Sequence, residues 1–62
     1  MKTITKGNLV IEREMTDNRF YDLVRGYRVN KEGDPVAFLG KYKVASIFSN
    51  EEIIKLYEEG KI

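Results

Sequence analysis

The sequence predicts an α+β fold: a small three- or four-stranded antiparallel β-meander with one C-terminal helix packed on one face. Apolar and polar residues alternate along residues 9–15 and 36–44, the period of a half-buried strand. Turn-forming clusters, Gly7-Asn8, Thr16-Asp17-Asn18 and Asn30-Lys31-Glu32-Gly33-Asp34-Pro35, separate the runs. Ser49-Asn50-Glu51-Glu52 then opens a stretch of helical periodicity. With 62 residues the chain makes one small domain, 1–62.

Taken in order, residues 2–5 form a short edge strand, because Gly7-Asn8 has the Gly-X chemistry of a tight hairpin. In residues 9–15, Leu9, Ile11 and Met15 share one face while Val10, Glu12 and Glu14 share the other. Residues 19–29 admit two readings. As a strand, Tyr21, Leu23, Tyr27 and Val29 share a face that Arg25 interrupts; as a helix, Phe20, Leu23, Val24 and Tyr27 fit the spacing and Gly26 is a stop signal. The strand is favoured, since the run feeds a turn and then a second strand of matching length. That makes a β-hairpin of 20–29 with 36–45 around loop 30–35. In its second arm Val36, Phe38, Gly40, Tyr42 and Val44 give an apolar face, and Ala37, Leu39, Lys41 and Lys43 a mixed one.

The helix spans residues 49–59. Ser49 and Glu52 form a capping box, and Phe48 with Ile53 a hydrophobic staple. Ile53, Ile54 and Tyr57 fall on one stripe with Leu56 at its margin, and Gly60 ends the helix. Which face of the sheet the helix covers is open at this level.

Composition excludes several functions. The chain has no Cys and no His, which removes disulfides, thiol chemistry, imidazole catalysis and most metal sites. No run approaches the roughly 20 apolar residues of a membrane span, and residues 1–6 lack the apolar core of a signal peptide, so a cytoplasmic setting is expected. Lys and Arg number 11 against 10 Asp and Glu. Residues 1–48 carry nine cations and six anions, and residues 49–62 two and four, so a mildly basic sheet precedes an acidic helix. That balance falls short of a dedicated nucleic-acid binder.

Catalysis has little to work with. Glu12 and Glu14 share a strand face about 7 Å apart, a spacing usable for glycoside hydrolysis, but one thin layer pair encloses no sugar. Ser46 and Ser49 have no histidine base, and Gly26, Gly33 and Gly40 match no phosphate loop. Asp34 near Glu32 lacks the alternating ligands of a calcium loop. The sequence therefore predicts no enzyme, no cofactor, no metal and no small-molecule substrate.

Binding residues are easier to nominate. Arg25, Arg28, Lys41 and Lys43 lie on adjacent strands beside Tyr27 and Tyr42, the ingredients of a sheet that meets phosphates and stacks bases. The plainer account has half-buried tyrosines and solubilising cations. Arg13 and Arg25 each break an otherwise apolar strand face. Either they sit at the rim with packed stems, or the face is incompletely covered and offers the Arg, Tyr and aliphatic mixture of an interface. Leu39, Val10 and Val24 point away from the assigned core face, where they would make an apolar patch framed by charge.

The expected binding surface is thus Arg13, Arg25, Tyr27, Arg28, Leu39, Lys41 and Lys43. The expected function is a non-catalytic module acting by protein–protein contact, an adaptor or a stoichiometric inhibitor of a larger cytoplasmic protein. Small frames of this kind are frequent among phage and mobile-element accessory proteins. Self-association is a second route, since so short a chain builds a thin core. A modest nucleic-acid binder using the 20–45 hairpin is the alternative.

Overall fold

In the computed structural model, which describes residues 2–62, the strands are β1 (Lys2–Lys6), β2 (Leu9–Met15), β3 (Tyr21–Val29) and β4 (Pro35–Ala45), followed by one helix, α1 (Asn50–Glu58). The strands form one antiparallel sheet in the order β1-β2-β3-β4, a four-stranded meander. Tyr21–Val29 is strand, so the helical alternative for residues 19–26 falls away.

Both ends of α1 carry the local chemistry that the sequence encodes. The Ser49 hydroxyl accepts from the Glu52 amide at 3.2 Å, and the Ser49 amide donates to the Glu52 carboxylate at 3.0 Å. These bonds favour the charged carboxylate and hold the Glu52 pKa below its ordinary value. At the other end Gly60 takes φ +70°, its amide donates to the Tyr57 carbonyl, and the Lys61 amide donates to the Leu56 carbonyl. That is a complete Schellman cap, which needs a residue tolerant of the left-handed region.

The helix covers the sheet face that carries Ile4 from β1, Leu9 and Ile11 from β2, Val24 from β3 and Val44 from β4. Ile53 and Tyr57 point down into this layer; Ile11, Val24 and Ile53 are sealed from solvent. Here the expected face of β3 is reversed. Asp22, Val24 and Gly26 face the helix, whereas Tyr21, Leu23, Arg25, Tyr27 and Val29 point to the other side. Two contacts explain the choice. The Tyr57 ring lies so close to Gly26 that a Cβ there would sit 2.5 Å from a ring carbon. And Arg13 reaches across the covered face to Asp22 at 2.8 Å.

The strand β4 changes face midway. Gly26 pairs with Gly40 and the next residue, Tyr27, pairs with Phe38, so Leu39 is the extra residue of a bulge. Gly40 adopts φ +117°, a conformation that side chains rarely take. Tyr42 and Val44 therefore keep the helix side, while Phe38 goes to the opposite face rather than into the expected core.

Candidate functional site

Among the described residues, one face of the sheet has no helix over it, and its side chains fall into cross-strand rows set by the register. The first row is Glu14, Leu23 and Lys43; the second is Thr3, Glu12, Arg25 and Lys41; the third is Thr5, Val10, Tyr27 and Phe38. The charged rows occupy one end, with anions on β2 and cations on β3 and β4. The third row is apolar. Val10 is only 8% exposed there although no helix covers it, because its register neighbours Thr5 and Tyr27 flank it. Phe38 and Val36 stand out at 65% and 64% exposure. A shallow depression of about 450 Å³ joins the two ends, lined by Glu12, Arg25, Tyr27, Pro35, Val36 and Phe38.

The charges on this face are loosely held. Arg25 lies 3.6 Å from Glu12 as a partly exposed pair, worth well under about 1 kcal/mol. Lys43 stands 5.0 Å over the Tyr21 ring as a cation–π contact. Among the described residues, no group of three or more acidic side chains is placed to hold a metal ion.

Four of the seven expected binding residues come together here: Arg25, Tyr27, Lys41 and Lys43. Three do not. Arg13 lies on the covered face, where its guanidinium donates to Asp22 (2.8 Å), Asn50 (3.0 Å) and the Ser46 carbonyl (3.0 Å). It clamps the sheet to the start of the helix, and its side chain is only 13% exposed, on the side away from the open face. Arg28 is also on the helix side by parity and donates to Asn8 at 2.7 Å, bracing the β1–β2 turn. Leu39, the bulge residue, packs against the core. Val24, expected on the patch, is core as well. Val10 alone of the expected apolar trio lies on the open face.

Alternation alone places Phe38 and Val36 on the core face; the structure puts them on the open face instead. The glycine inside the strand, Gly40, was the available signal, since an interior strand glycine often marks a bulge. A second exposed apolar group, Met15, Phe20 and Ile47, gathers at the end of the sheet where Ser46 bonds to the Arg19 and Phe20 carbonyls. No helix among the described residues is long and apolar enough to cross a membrane.

No family model matches this chain, and neither the curated proteins nor the solved structures include a match.

Proposed function

We propose that this chain is a non-catalytic binding module that works by protein–protein contact through the uncovered sheet face. The observation that supports it is the third row: Val10, Tyr27 and Phe38 stand side by side on adjacent strands, next to a band of opposite charges. Aromatic anchors beside a charged rim form the composition that protein interfaces favour. An adaptor or a stoichiometric inhibitor of a larger protein would use such a surface. The test is a tagged chain used as bait on a host lysate treated with nuclease. Protein should be retained by the parent chain and by Lys55→Glu on the helix, and lost with Tyr27→Glu. Retention that ignores Tyr27→Glu would refute the assignment of the face.

One observation favours a second reading. Arg25, Lys41 and Lys43 share the open face with Tyr21, Tyr27 and Phe38, so cations and rings are on one surface. Single-stranded nucleic acid binds sheets of this kind by phosphate contact and stacking. Glu12 and Glu14 lie on β2 beside those cations and oppose a polyanion. Affinity for an oligonucleotide that falls steeply with salt and is lost with Lys41→Ser and Lys43→Ser would favour this reading over the first.

A further inference from the structure

We infer that the occupant of the open face is a second copy of this chain, packed face to face about a two-fold axis parallel to the strands. The inference rests on the protein-contact reading and names its partner. Consider the axis lying between the two sheets, over the gap between β2 and β3. Rotation about it preserves position along the strands and reverses the strand order, so β2 lies over β3 of the other copy and β1 over β4. Each row then meets itself reversed. In the second row Glu12 lies opposite the partner's Arg25, and Arg25 opposite the partner's Glu12. In the third, Val10 meets the partner's Tyr27 and Thr5 meets the partner's Phe38. In the first, Glu14 meets the partner's Leu23.

The alternative two-fold, perpendicular to the strands, stacks β2 on β2 and β3 on β3. With all three rows overlapping, it sets Glu12 against the partner's Glu12 and Arg25 against the partner's Arg25. Charge thus selects one orientation, while the apolar row supplies the attraction. Sheets packed this way keep their strands within about 30° of each other. The two longer extents of the chain, 35 and 22 Å, bound the contact from above near the roughly 800 Å² that each partner buries in a standard interface, so the whole open face would have to take part. The helix-side core is small, and covering Tyr27, Phe38 and Val36 would give each copy a second apolar layer.

The experiment is sedimentation equilibrium on the full chain from micromolar to millimolar concentration, with two reciprocal charge variants. The mass should rise from 7.2 kDa to twice that. Glu12→Arg alone and Arg25→Glu alone each set like charges opposite, and each should weaken association at least about tenfold. Mixed one to one, the two variants are complementary at both contacts and should form a heterodimer with affinity near that of the parent. Circular dichroism checks that each variant keeps the fold. A monomer at every concentration overturns the inference; capture of a different protein, lost with Tyr27→Glu, would then leave the protein-contact reading standing. A dimer indifferent to both variants and to Tyr27→Glu overturns it too, and places the interface at a sheet edge or at the Met15, Phe20 and Ile47 end.

Discussion

At the scale of single residues, Gly26 fixes how the helix lies on the sheet. The Tyr57 ring occupies the space a side chain would need, donates its hydroxyl to the Gly40 carbonyl at 3.1 Å, and meets Tyr42 edge-on with centroids 6.1 Å apart. Gly26→Ala should cost about 1–3 kcal/mol by overpacking, measured by urea unfolding, and Tyr57→Leu in the same chain should recover part of the loss. Burial, with Tyr42 adding to it, pushes the Tyr57 pKa up to about 12. The unfolded chain ionises this phenol near 10, so the folded state binds more protons between the two values. The resulting stability is complete below pH 10 and is lost as pH rises through 12. Alkaline unfolding should therefore be shallower above pH 10 in Tyr57→Phe than in the parent.

Arg13 and Asp22 show why one strand face could not be assigned from alternation. Both parities of β3 carry apolar residues, Leu23 and Tyr27 on one, Val24 on the other. What decides between them is a charged residue and a glycine, Asp22 and Gly26, whose partners lie on β2 and α1. These are contacts between distant segments, invisible to a period-two count. Arg13 and Asp22 have side chains only 13% and 10% exposed. Removing one partner leaves the other charge poorly solvated, so Arg13→Ala should cost about 3 kcal/mol. Replacing both by apolar residues of similar volume should cost clearly less, a contrast that denaturant melts resolve.

At the scale of elements, the helix was the most legible part of the chain because its start and stop are local. Ser49 and Glu52 bond to each other, and Gly60 ends the helix through carbonyls within its last turn. Ser49→Ala should destabilise the fold by about 1 kcal/mol. The Glu52 pKa is lowered, so its capping contribution is present above the ordinary carboxylate value and fades as pH falls through the lowered one. The meander was legible for the same reason: each turn cluster sits between alternating runs. The bulge in β4 was not. It turns Phe38 from the expected core to the open face, and only the interior glycine hinted at it.

At the scale of the whole molecule, one helix covers one side of a four-stranded sheet, and among the described residues no helix covers the other. The candidate site was partly legible: its cations and Tyr27 were named from sequence, while its exposed aromatic neighbour and its pairing with Glu12 needed the register. The proposed self-association through this face would link stability to concentration, so the melting temperature should rise with protein concentration in the parent and stay constant in Tyr27→Glu.

The most direct measurement is an isotope-filtered NOE experiment on a mixture of labelled and unlabelled chains, which reads only contacts between copies. Cross-peaks are expected from the Val10 methyls to the Tyr27 ring and from the Thr5 methyl to the Phe38 ring. Intermolecular peaks confined to Met15, Phe20 and Ile47, or none at millimolar concentration, would contradict it.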